Sequence, residues 1–269
     1  MKRVLLVLCL MLTMAVSAVA KDNDDQPVSA LDSIVKSGVF KVGLDPGYMP
    51  FEMRDKKGEL IGFDIDLAKD MAKSMGVKLE IVTTAWDGII PALLTGKFDL
   101  IMGGMTVTQL RNLRVNFADP YIVVGQTIII NKKVADKVKS YKDLNDPKYT
   151  VCAKLGTTGD IAISKYMPNA KHRQYETEAE GMMEVVNGRV DAFVYDLPPN
   201  AIFASKHKER VVHLEEPFTF EPLAFAVRRG DYDFVNWINN YLQQIKGDGK
   251  YQVIYNKWFE SADWVEKVQ

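Results

Sequence analysis

Cysteine is nearly missing from this chain: Cys9 and Cys152 are the two among 269 residues. So few thiols exclude a disulfide scaffold. Cys152 sits in Tyr149-Thr150-Val151-Cys152-Ala153, a run with the β-branched and aromatic content of a strand, and is expected as a buried core thiol rather than a reactive one. Histidine is equally sparse, with only His172, His207 and His213, and no two stand at a metal-ligand spacing, so no metal site is expected. No sign of charge dominates: 34 lysines and arginines face 35 acids for a net −1, which gives no electrostatic case for nucleic acid. Phosphate loop, dinucleotide fingerprint and Ser–His–Asp order are all missing, so no cofactor is expected. Beyond the first twenty residues no apolar run approaches the length of a bilayer span.

What is present starts with an export signal. Lys2 and Arg3 precede the apolar stretch 4–16, and Ala18-Val19-Ala20 forms a small-residue cleavage site. Cleavage after Ala20 is predicted, releasing an exported, periplasmic protein that starts at Lys21. Cys9 follows Leu8 inside the apolar stretch, which argues against a lipoprotein signal.

The remaining chain alternates strands with helices. Strands are predicted at 40–44, 79–82 and 98–102, with helices at 30–35, 64–75 and 89–94 between them. A similar cycle restarts with strands at 150–153 and 190–195 and helices at 160–167 and 178–187. This alternation predicts an α/β fold with largely parallel sheets. Composition changes at Ile128-Ile129-Ile130 and the lysine-rich segment after it. A first crossing is placed near Gly125 and a return near 220–223, so that residues 21–125 and 222–269 form one lobe and 126–221 a second, inserted lobe. A two-segment connection of this kind is a natural hinge.

Three local patterns carry candidate chemistry. In Gly62-Phe63-Asp64-Ile65-Asp66-Leu67, Asp64 is expected to cap a helix whose apolar face is Leu67, Met71 and Met75 and whose stop is Gly76. In Gly103-Gly104-Met105-Thr106-Val107-Thr108-Gln109-Leu110-Arg111, a strand ends on two glycines and Thr108 caps a helix carrying Arg111 in its first turn. An anion arriving there meets a guanidinium fork and free N–H groups; the ordinary alternative is an Arg111 in solvent or paired with a carboxylate. A second strand–glycine–helix junction, Gly156-Thr157-Thr158-Gly159, offers N–H groups and hydroxyls. Asp196 follows the strand 190–195, where open α/β sheets place ligand-contacting groups, although a turn with Pro198 and Pro199 is the ordinary reading. Asp45, Tyr48, Phe51 and Trp86 follow the ends of two first-lobe strands, and such aromatics are commonly core.

Together these patterns, with the tail Gly249-Lys250-Tyr251 to Trp258-Phe259, resemble the periplasmic polar amino-acid-binding proteins of ABC uptake systems, the solute-binding proteins of family 3. The resemblance runs from about Leu31 to Phe259. It implies a two-lobed periplasmic binding protein fold with two strand crossings at the hinge, and a monomer that hands a polar or cationic L-amino acid to a membrane permease. Position by position, it implies that Arg111 clamps the ligand carboxylate with Thr106 and Thr158. Asp196 holds the ammonium with Gly104 and Thr106, Trp86 covers the ligand, and Tyr48 and Asp45 face its side chain. Gly103 is less typical, because some relatives carry a hydroxyl residue there. The chain also resembles the cyclohexadienyl dehydratases, exported enzymes on the same scaffold. Their acidic residue just beyond the second-lobe strand matches Pro199 here, which has no proton to donate.

Overall fold

The structure, a computed structural model, describes residues 29–268. The export signal, its cleavage site and Cys9 lie outside the described residues. Two five-stranded sheets organise the chain. The first runs Lys78–Thr83, Val39–Leu44, Leu100–Ile101, Ala226–Arg228, Val115–Phe117. The second runs Lys171–Tyr175, Thr150–Lys154, Ala192–Asp196, Gln126–Asn131, Val211–Leu214. In each sheet four strands run in one direction and one, Ala226–Arg228 or Gln126–Asn131, runs antiparallel between its two neighbours. The expected parallel arrangement therefore holds for the strands linked through helices, which return the chain to the same sheet edge. It fails for the strands beside the crossings, which are entered from the other sheet without a helical return.

The chain passes between the sheets along Ile122–Val124 and back along Glu221–Leu223, and these segments pair antiparallel, Glu221 opposite Val124. A further bridge ties Leu223 to Thr106, so the ribbon is fastened to the loop that carries the first sheet's glycines.

Helix Phe63–Met75 shows how local sequence builds the scaffold. Phe63, Ile65, Leu67, Ala68, Met71 and Ala72 are buried, and Gly76 closes the helix in the left-handed conformation. Each large side chain so buried stabilises the fold by about 1.5–3 kcal/mol relative to exposure. Asp64 is not the cap. Gly62 takes that position at φ 144°, where a Cβ would lie 2.1 Å from the Phe51 carbonyl oxygen, and Asp64 falls inside the first turn, fully buried. Its Oδ2 accepts a 2.9 Å hydrogen bond from the Tyr121 hydroxyl, while Oδ1 has no partner. Burial pushes its pKa up to about 7, against the pull of Tyr121 and the Gly104 N–H.

A pH dependence of stability arises from Asp64. The folded carboxyl holds a proton that the unfolded chain gives up above its ordinary pKa of 3.8, so this contribution is lost as pH rises from about 4 to 7. Asp64→Asn is expected to raise the melting temperature at pH 8, by on the order of 5 °C, with a smaller gain at pH 5. Parallel melting curves for the variant and the wild type between pH 5 and 8 would show that Asp64 ionises without cost.

Cys152 is fully buried, with its Sγ 3.8 Å from the Gly181 carbonyl oxygen, and burial pushes the thiol well above its ordinary range. It is a core residue, as its strand context predicts.

Candidate functional site

The ends of the parallel strands in the two sheets face one cavity. From the first sheet's side come Asp45, Tyr48, Glu52, Trp86, Gly103, Gly104, Thr106 and Arg111; from the second come Lys154, Thr157, Thr158, Tyr195 and Asp196. Nine of the ten residues singled out from the sequence thus meet in one place. The tenth, Phe51, is fully buried behind Tyr48, its ring stacked at 4.6 Å, and fixes that wall without lining the cavity. Thr157 joins them from the Gly156–Gly159 junction, while Glu52, Lys154 and Tyr195 were not anticipated.

Arg111 sits in the short helix Gln109–Asn112, capped by Thr108, whose hydroxyl accepts the Arg111 N–H at 3.1 Å. Its guanidinium is buried and packs 5.4 Å from the centre of the Trp86 ring. Nη1 donates to the Thr106 carbonyl at 3.0 Å and Nη2 to the Gly156 carbonyl, across the cleft, at 3.2 Å. Among the described residues no carboxylate pairs with it. Burial pushes its pKa down to about 10, with Glu221 and Asp196 acting against the shift from a distance. A buried cation held by carbonyl dipoles and an aromatic face, with no opposite charge, is an incomplete site, and an entering anion completes it.

Asp196 ends the strand Ala192–Asp196 and leads into the helix Leu197–Lys206, so the turn with Pro198 and Pro199 is a helix start with both prolines in its first turn. Its Oδ2 accepts the Tyr48 hydroxyl at 2.6 Å and its Oδ1 the Gln126 side-chain amide at 2.7 Å. Burial drives its pKa up to about 7, partly offset by the Tyr48 hydrogen bond, with Glu221 raising it further and Arg111 lowering it. Gly104 lies at φ +62°, and a Cβ there would come within 2.2 Å of the Tyr48 ring, so a side chain would both strain the backbone and block this wall.

Several contacts join the two sides. Trp86 Nε1 donates to the Gly156 carbonyl at 3.2 Å, the Thr106 and Thr158 hydroxyls stand 3.5 Å apart, and Gln126 reaches Thr158 at 3.1 Å. The helix Thr158–Tyr166 begins two residues earlier than predicted because Thr157 caps it, accepting the Asp160 N–H at 3.3 Å. Asp45 Oδ2 accepts the Trp86 backbone N–H at 3.0 Å and pairs with Lys154 Nζ at 2.8 Å. Lys154, buried at the end of its strand, also pairs with Glu178 at 2.9 Å. The signal for Lys154 was faint: a lysine closing the apolar run Val151-Cys152-Ala153. Among the described residues no cluster of side chains is arranged to hold a metal ion, and no helix is long and apolar enough to cross a membrane.

Two α/β lobes joined by two crossing strands, with a polar cavity between them, define a ligand-capturing binding protein. The chain belongs to the bacterial extracellular solute-binding proteins, family 3, whose model matches residues 40–261. A probable histidine-binding protein of Neisseria gonorrhoeae is 34% identical over 226 residues, covering 82% of this chain and 83% of its own. Among solved structures, a putative ABC-transporter binding component from Wolinella succinogenes, complexed with lysine, is 53% identical with a TM-score of 0.82, covering 86% of this chain and 99% of its own. An ancestral amino-acid-binding protein, described as a precursor of cyclohexadienyl dehydratase, is 52% identical with a TM-score of 0.81, covering 86% of this chain and all of its own.

Proposed function

We propose that this chain captures a free L-amino acid between its lobes and presents the closed complex to an ABC permease. The observation that carries this reading is the buried Arg111, which lacks a carboxylate partner among the described residues and lines the same cavity as Asp196. One cation and one acid, held apart on opposing lobes, match the two charges of an amino-acid zwitterion. Arg111 takes the carboxylate with the Thr106 and Thr158 hydroxyls beside it, and Asp196 takes the ammonium near Gly104 and Thr106. Trp86 covers the ligand; Tyr48, Asp45 and Gly103 border its side chain, and Phe51 supports Tyr48. Residues 21–125 and 222–269 form one lobe and 126–221 the other, moving about the paired crossing strands. Ligand contacts made by both lobes exist only in the closed form, and that differential affinity drives closure.

The protein acts as a monomer in the periplasm after cleavage behind Ala20, by the reading of its first twenty residues, and binds without transforming its ligand. By the resemblance to the dehydratases, Pro199 takes the position of their acid, and it does not line the cavity. Titration calorimetry against the common L-amino acids tests capture. At least one is expected to bind with a dissociation constant near or below ~1 µM, about 8 kcal/mol. Incubation with prephenate or arogenate tests the other reading, and loss of either substrate would make the protein an enzyme.

A further inference from the structure

Glu52 lines the cavity, and among the described residues no cation pairs with its carboxylate. It is 1% exposed, and its Oε2 has no hydrogen-bond partner among the described residues. Its Oε1 lies against the bare backbone of Gly103, 2.9 Å from where a Cβ would stand, so it occupies the space that a side chain at position 103 would fill. The acids around it outnumber the cations. Asp45 and Glu178 share the single ammonium of Lys154, at 2.8 and 2.9 Å, and Asp64 faces Glu52 from the helix beneath. The remaining titratable neighbours are the buried phenols of Tyr121 and Tyr195, which bring no positive charge. Lys154 is therefore committed, and Asp45, which accepts both Lys154 and the Trp86 amide, is already satisfied. This end of the cavity has a place for one more cation.

We propose that Glu52 selects a ligand with a cationic side chain, ionising against it and releasing a proton to solvent as the ligand binds. This deepens the capture reading and rests on it: Arg111 and Asp196 hold the groups that every amino acid has, and Glu52 reads the side chain. Burial and the neighbouring carboxylates Asp64, Asp45 and Glu178 keep the Glu52 pKa well above its ordinary value, with Lys154 acting against them. The cavity wall thus offers an acid that holds its proton. An ammonium or guanidinium entering beside it replaces that proton, and the charge pair forms where water is excluded. A neutral side chain leaves Glu52 protonated and gains no such pair.

Calorimetry of the wild type and Glu52→Gln at pH 7 tests this with L-lysine, L-arginine, L-glutamine and L-norleucine, each in two buffers of different ionisation enthalpy. The wild type is expected to favour lysine or arginine over norleucine and to release about one more proton with them than Glu52→Gln does. In Glu52→Gln the preference for lysine over glutamine should fall about 100-fold. An unchanged preference, or equal proton release by the two proteins, overturns the selector role. So does a wild type that binds glutamine or norleucine and rejects both cationic amino acids, an outcome that leaves amino-acid capture standing. A wild type that binds none of these or the other common amino acids overturns both.

Discussion

Arg111→Ala is expected to reduce amino-acid affinity by at least about 1,000-fold without unfolding the protein. The guanidinium is buried, its partners are the Thr106 and Gly156 carbonyls, and its pKa is pushed down to about 10 by loss of water. A ligand carboxylate supplies the missing negative charge and accepts in the geometry of the planar fork. Removing the fork leaves that carboxylate buried without an answering charge, which costs more than the contact itself contributes. The folded state loses less, because an uncompensated buried cation goes with the side chain, so the melting temperature should hold or rise. Arg111→Lys is the sharper control. It keeps a charge but loses the second donor arm and the stacking on Trp86, and it should recover only part of the affinity. Full-strength binding by Arg111→Ala would place the ligand carboxylate elsewhere in the cavity.

The features legible in the sequence were local ones. Helix Glu178–Asn187 matches its predicted span to the residue, and the structure shows that its limits are local: Thr177 and Glu180 form a capping box and Gly188 closes it. Thr108 as the cap that presents Arg111 was legible for the same reason. Asp64 misled because a carboxylate at a helix start is usually a cap. Here the backbone of Phe51 packs so close to Gly62 that only glycine takes the cap position, and that contact spans about ten residues of sequence. The Gly-Phe-Asp-Ile-Asp-Leu stretch is accordingly more than scaffold. Its Asp64 acts on the Glu52 carboxyl and receives the Gly104 amide, so this helix bears on two residues that line the cavity. Glu52 and Lys154 escaped notice because charged side chains are expected in solvent. Only the meeting of two lobes, 102 positions apart in the case of these two residues, makes them cavity walls.

Asp196→Asn carries the second large effect, and pH separates its role in binding from a role in merely closing the cleft. Its carboxyl has a pKa of about 7, raised by burial, while Tyr48 and Gln126 hold both oxygens in place. An α-ammonium pairs with the ionised form. Below about pH 7 a proton must first leave, so wild-type affinity should weaken by up to about tenfold for each pH unit, and it should level off above pH 7. L-glutamine, where it binds, is the ligand to use, since a neutral side chain keeps the Glu52 proton out of the measurement. Asparagine has no charge to give at any pH. The variant is therefore expected to bind about 100-fold or more weakly at pH 8, with the gap to wild type narrowing as pH falls toward 5. A gap that stays constant from pH 5 to 8 would mean that Asp196 does not ionise as the ligand binds. Its bonds to Tyr48 and Gln126 would then serve closure alone, and the ammonium would have to be held by another group in the cavity.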